Sequence, residues 1–267
     1  MDKDRASKTC VVVSHWTGHS TRTLVRLLRQ MRSVNAGAPF DTLVVCNGGD
    51  VRPLVLPGAD RLHARVLNRE NVGYNIGAWE AGWRSAGLYE FFLFLQDECF
   101  IKRPGWVSEF EYRMENDRGL GLLGEAMMWD QMSWQYIRTA TDRDLGSSVL
   151  LPGETIHPLE QYAAFLDARG IPRGDVGTHL QSLVLFTRRA VLEEIGGFPL
   201  GRTYREAVAG EIGFSRLIAA KGYRIARIRD AAFHFIGHQQ WTRSDRIYRK
   251  ARGALAQWAR RAGLKRP

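Results

Sequence analysis

Short apolar runs rich in β-branched and aromatic residues recur along the chain at Cys10–Ser14, Thr42–Cys46, Ala64–Leu67, Phe91–Leu95, Leu120–Leu123, Leu183–Thr187 and Ala231–Phe235. Their length and spacing predict strands, and the stretches between them predict helices. Between the first two runs, Leu24, Leu27, Leu28 and Met31 recur at helical spacing, with Ser20 or Thr21 as the N-cap, so a crossover helix is expected there. A second helix is expected over Pro158–Arg169: Pro158 suits the first turn, Gly170 can end it, and Leu159, Tyr162, Ala163 and Leu166 form its buried stripe. Trp129–Gly153 follows neither period and reads as loops near a site. Strand and helix alternating in this way predict an α/β fold with a mostly parallel central sheet flanked by helices.

Length and composition agree with a single such domain. The 267 residues are 45% hydrophobic and 25% charged, the balance of an ordinary globular protein. The expected division is one domain over 8–240 and a basic amphipathic helical appendage over 241–267, where Ile247, Leu255 and Trp258 sit among arginines. No apolar run approaches the roughly 20 residues of a membrane span, and the start lacks a secretory apolar core, which predicts a cytoplasmic location. Cys10, Cys46 and Cys99 fall in or beside apolar runs and are expected as buried thiols. The net charge of +10 suits anionic lipid, a phosphorylated substrate or nucleic acid, but no nucleic-acid motif accompanies it, and nucleic acid is disfavoured as a partner.

Three stretches carry chemistry. Val44–Asp50 runs from a strand into an Asn-Gly-Gly-Asp turn, where an open α/β sheet presents a nucleotide site. In Asn68–Trp79, Gly73 and Gly77 let backbone approach a diphosphate at the start of a helix, or else serve helix packing; their spacing does not match the dinucleotide fingerprint. In Phe91–Phe100, an apolar strand delivers Asp97 and Glu98 to its carboxyl end, where hard oxygen ligands could hold a divalent cation. Taken in order, with Ile195-Gly196-Gly197-Phe198-Pro199 further on, these resemble the inverting family-2 glycosyltransferases of the GT-A (nucleotide-diphospho-sugar transferase-like) fold. The nearest resemblance is to rhamnan-synthesis-type members.

That resemblance implies transfer of a sugar, with inversion, from a nucleotide-diphosphate sugar to a hydroxyl of a saccharide or lipid-linked acceptor. Asn47, Asp50, Asn71, Gly73, Asn75, Gly77, Gln96 and Asp97 would hold the donor, and His179 and Gln181 would face donor or acceptor. Glu98 would ligate Mn²⁺ or Mg²⁺, with His234 or His238 as a further ligand, and Glu211 would be the base that deprotonates the acceptor. The chain departs from the family in placing Gln96 where the first metal-motif acid is usual, and in lacking the full acidic pattern around Glu211. These departures keep open a non-catalytic carbohydrate- or nucleotide-binding relative of the same fold. The appendage at 241–267 would meet an anionic membrane surface at the inner face.

Overall fold

The computed structural model describes residues 7–56, 62–145, 150–151 and 153–241. Eleven strands are present among them: β1 (Thr9–Trp16), β2 (Phe40–Asn47), β3 (Ala64–Arg69), β4 (Phe91–Gln96), β5 (Cys99–Ile101), β6 (Leu120–Gly124), β7 (Met127–Met128), β8 (His179–Leu180), β9 (Val184–Arg188), β10 (Arg224–Arg227) and β11 (Ile236–His238). The helices are α1 (Arg22–Ser33), α2 (Tyr74–Ser85), α3 (Ser108–Asn116), α4 (Trp134–Leu145), α5 (Pro158–Asp167), α6 (Arg189–Ile195) and α7 (Tyr204–Ala220). The basic appendage, apart from Trp241, lies outside the described residues. No helix among the described residues is long and apolar enough to cross a membrane.

Seven strands form one sheet in the order β10-β6-β9-β4-β1-β2-β3, all parallel except β9, which runs against both neighbours. This is the expected mostly parallel α/β sheet in a single domain. Its central strands are continuous apolar runs because both faces are covered. Val11 and Val13 of β1 and Leu93 and Leu95 of β4 enter one core, with Leu24, Leu27, Leu28 and Met31 of α1 and Phe110 of α3. The alternate residues Cys10, Val12, Phe92 and Phe94 enter the other, with Trp79 and Trp83 of α2, Phe198 and Phe214. Each large apolar side chain so buried contributes about 1.5–3 kcal/mol. All three cysteines are buried thiols as expected, and burial pushes those of Cys10 and Cys46 up to about 12 and about 11.

The first crossover helix forms with the expected buried face, and Ser20 Oγ, not Thr21, accepts the Arg22 amide at 3.3 Å. Helix α5 starts at Pro158 and ends at Asp167, two residues before the expected end; Gly170, at φ +62°, donates its amide to the Asp167 carbonyl. Phe165 is buried in its stripe, whereas Ala163 is only half-buried.

Two expectations are corrected. Residues 129–153 are not all loop, since α4 forms there. Its apolar stripe is too thin to read, because Ile137 is its buried side chain; ion pairs of Arg138 with Asp142 and Glu160 support the rest. Ala231–Phe235 is a turn rather than a strand. Its amides from Phe233 onward are taken by Glu125, and the strand begins only at Ile236. Beyond the expected strands, Arg224–Arg227, after α7 ends at Ala220, pairs in parallel with β6 as an edge strand.

Helix α2 lies so close to the sheet that a Cβ on Gly82 would stand 2.4 Å from Val12 Cγ1 and 3.1 Å from Val45 Cγ2. Gly82→Ala is therefore expected to destabilise the fold by about 1–3 kcal/mol through overpacking, read as a lower urea midpoint at unchanged m-value.

Candidate functional site

The chain leaves β1 for β2 and β3 on one side, then returns through α2 to place β4 on the other side of β1. Strand order reverses there, and a crevice opens beyond the carboxyl ends of β1 and β4, where open α/β sheets bind ligands. The cleft has a volume of 380 Å³. It is lined by Ser14, His15 and Trp16 at the end of β1 and His19 after it, Asn47 of β2, Asn71, Tyr74 and Asn75 around the start of α2, Gln96 at the end of β4 with Asp97 and Glu98 after it, and Gln240. A larger groove of 690 Å³, bordered by Leu28, Met31, Phe40 and Leu62, lies at the amino end of β2. It lies at the opposite end of the strands from where open α/β sheets bind ligands, so the smaller cleft is the candidate site.

The wall formed by α2 is built by a tight turn. Gly73 has φ +79° and Tyr74 +56°; a Cβ on Gly77 would stand 2.0 Å from the Val72 carbonyl oxygen, and one on Gly73 would be 3.1 Å from Gly77 Cα. Gly77 is buried within α2, so its bareness serves this close packing, and Gly73 supplies the left-handed backbone. Asn47 Nδ2 donates to the Tyr74 carbonyl at 2.7 Å, and Arg69 Nη1 donates to Asn47 Oδ1 at 2.6 Å and to the Val72 carbonyl at 3.0 Å. Asn47 thus braces the turn as well as lining the cleft. Asp50 is exposed on the turn after β2 and is not part of the lining.

Opposite that wall, Asp97 is buried, and its Oδ2 accepts from His15 Nδ1 at 2.5 Å. Beside it, Glu98 Oε2 lies 3.7 Å from His238 Nε2 and accepts from Gln240 Nε2 at 3.4 Å. Strand pairing brings this about: β11 runs antiparallel to β5 with His238 opposite Cys99, the residue after Glu98. His234 is placed elsewhere. Its amide donates to Glu125, and its ring, packed on Phe235, has its pKa lowered by desolvation and by Arg103, Arg229 and Lys102. Among the described residues no three His, Cys, Asp or Glu side chains converge on one point.

Behind the cleft floor, the Ser182 peptide joins several elements. Its carbonyl accepts from Gln96 Nε2 at 2.6 Å and from Asn75 Nδ2 at 2.9 Å, while its amide donates to Glu211 Oε2 at 2.6 Å. Glu211 Oε1 lies 3.4 Å from His179 Nε2, and His179 Nδ1 donates to the Gly177 carbonyl at 2.8 Å. Burial pushes the Glu211 carboxyl upward, but His179 and the Ser182 amide outweigh it and hold the pKa below the ordinary carboxylate value. Glu211 and His179 therefore meet each other one peptide away from the cleft, outside its lining. Gln181 donates its amide to the Ala126 carbonyl, and its half-buried side chain is not in the lining.

Sequence reasoning did not single out His15, His19, Arg69, Ser182 or Glu125. His15 was accessible by the same rule that found Asp97, since it follows a central apolar strand at its carboxyl end. Glu125 carried no such signal. It is 1% exposed, and burial pushes its carboxyl up to about 7 against the pull of three amides and of Lys102.

No family model and no curated protein matches this chain. Among solved structures, it is similar in fold to S. aureus TarS 1-349, with a TM-score of 0.48 at 15% identity, covering 86% of this chain and 59% of that one. A longer S. aureus TarS structure matches with a TM-score of 0.46 at 14% identity, covering 86% and 36%. The chain thus spans less than two thirds of either protein.

Two outcomes are expected. Gln96→Glu sets a carboxylate against the Ser182 carbonyl and loses a donor; it should cost about 1–3 kcal/mol in denaturant unfolding. Between about pH 4.5 and pH 7 the folded state holds a proton on Glu125 that the unfolded state has released, so stability falls as pH rises through that window. The stability of the unsubstituted protein relative to Glu125→Gln should accordingly decline from about pH 5 to about pH 8 in thermal melts.

Proposed function

We propose that this chain is a glycosyltransferase that takes a nucleotide-diphosphate sugar into the cleft between β1 and β4. The observation that carries this reading is the approach of Glu98 to His238, with Asp97 beside it lining the same cleft as the turn after Gly73, at the point where strand order reverses. The family resemblance of the same residues supports it. The amino end of α2 favours the negative charge of a diphosphate.

Glu98 and His238 fit a Mn²⁺ or Mg²⁺ ion as two of its ligands. The Glu98 carboxylate lies 3.7 Å from His238 Nε2, and His238 Nδ1 accepts the Gln240 amide at 3.3 Å, so His238 would take up the ion by moving its ring proton from Nε2 to Nδ1 and giving up that amide. When bound, such an ion would neutralise charge developing on the leaving diphosphate. His238 takes this role in preference to His234 because β11 pairing brings it to Glu98. Asp97 positions His15 on the β1 side of the cleft.

Glu211 is the base in this reading. Its pKa lies below the ordinary value, so the carboxylate is ionised, and Oε1, held less closely than Oε2, is the atom that takes the proton of the attacking hydroxyl. One direct displacement then inverts the anomeric centre. The acceptor is a saccharide or lipid-linked hydroxyl, and an anionic membrane surface is its setting.

The test is a thermal-shift screen of nucleoside diphosphates and their sugars with and without Mn²⁺, followed by a transfer assay with the nucleotide that binds. A ligand at 100 times its Kd stabilises by about 2.7 kcal/mol. One nucleotide is expected to raise the melting temperature more with Mn²⁺, and Glu98→Ala should remove the Mn²⁺-dependent part. Glu211→Gln should abolish transfer with binding intact. No shift with any nucleotide would overturn the proposal, and binding without hydrolysis or transfer would favour the binding-only relative.

A further inference from the structure

Glu125 gathers four consecutive amides. Its carbonyl accepts from Phe233 N at 3.1 Å, Oε2 from His234 N at 2.5 Å, and Oε1 from Phe235 N at 2.9 Å and Ile236 N at 2.8 Å. Neither a helix nor a strand aims successive amides at one residue. The segment reaches this form with Phe233 at φ +55°, a strained conformation for an aromatic residue. A lone buried carboxylate would be costly, so amides and carboxylate satisfy one another only in this arrangement.

Strand β11 begins at the last of these amides. It is three residues long and pairs only with β5, also three residues, and a ribbon that short does not hold its own position in water. His238 stands two residues beyond the clamp, opposite Cys99 and 3.7 Å from Glu98. The Lys102 amide adds one bond to the Phe235 carbonyl at 2.8 Å, which ties the same point to the end of β5.

We propose that Glu125 is a positioning residue for the cleft: by clamping residues 233–236 it sets the register of β11 on β5 and holds His238 against Glu98. This rests on the reading of Glu98 and His238 as a cation seat, but the clamp can be tested separately. Glu125 itself touches no ligand in this account, and its effect on the site passes through the backbone.

The experiment uses the full chain with labelled histidine rings, comparing the unsubstituted protein with Glu125→Gln and Glu125→Ala, and Mn²⁺ alone as the probe. Glu125→Gln keeps one acceptor oxygen, so its effects should be intermediate, and it serves if the alanine variant does not fold. In both variants, amides 233–238 should exchange with solvent at least tenfold faster and the His238 ring resonances should move, with exchange of the β1 amides unchanged. The Mn²⁺ concentration that broadens the His238 ring should rise at least tenfold. Unchanged His238 resonances and unchanged exchange at 233–238 would overturn the proposal, even in a variant of lower overall stability. If Mn²⁺ fails to broaden His238 in the unsubstituted protein, the cation seat is refuted, and the clamp stands or falls on ring shifts and exchange.

Discussion

Three elements around the cleft meet at the main chain of one residue, Ser182. The Ser182 carbonyl is shared by the amide side chains of Gln96, at the end of β4, and Asn75, in the first turn of α2, while the Ser182 amide is held by Glu211 of α7. An amide side chain donates, a carboxylate only accepts, and a main-chain unit offers one of each. The identities of Gln96, Asn75 and Glu211 follow from which main-chain group of Ser182 each one faces. Glutamine at position 96 is thus explained by its partner: an ionised acid could not serve the carbonyl it meets.

The same logic shifts the polar weight of the site by one position. With Gln96 committed to holding the cleft wall, the acidic groups left at the end of β4 are Asp97 and Glu98, and the structure separates their tasks. Asp97 turns inward to His15, and Glu98 faces His238 and Gln240. Adjacent residues after a strand leave on opposite sides, so a contiguous pair reaches two partners rather than one.

What was legible in the sequence follows from what local pattern can carry. β1, β2, β4, β6 and β9 were readable because strands covered on both faces must be apolar throughout, and α1 because its face repeats at 3.6 residues. α4 was hidden because its stability comes from ion pairs around Arg138 and from a small core with α5 and α7, not from a wide apolar stripe. The turn at 231–235 has the composition of a strand, and only a carboxylate 109 residues away in sequence withdraws its amides from any ladder. Which of His234 and His238 lies near Glu98 was equally out of reach, since it depends on the pairing of β11 with β5. The position of the cleft was readable from strand ends, but the partners of its side chains were not.

The reversed direction of β9 has a consequence for how the chain is made. Because β9 runs backwards between β4 and β6, it is the partner that closes the open side of β4, with Phe91 opposite Arg188 and Leu95 opposite Val184. A nascent chain that has emerged only through β4 can pair Phe91–Gln96 with β1, while its other edge, Phe-Phe-Leu-Phe-Leu, waits for a strand still to be synthesised. Uncharged, proline-free and aromatic, that edge is a template for pairing with other chains. During translation that edge stays open to other chains, and the hazard ends when β9 docks.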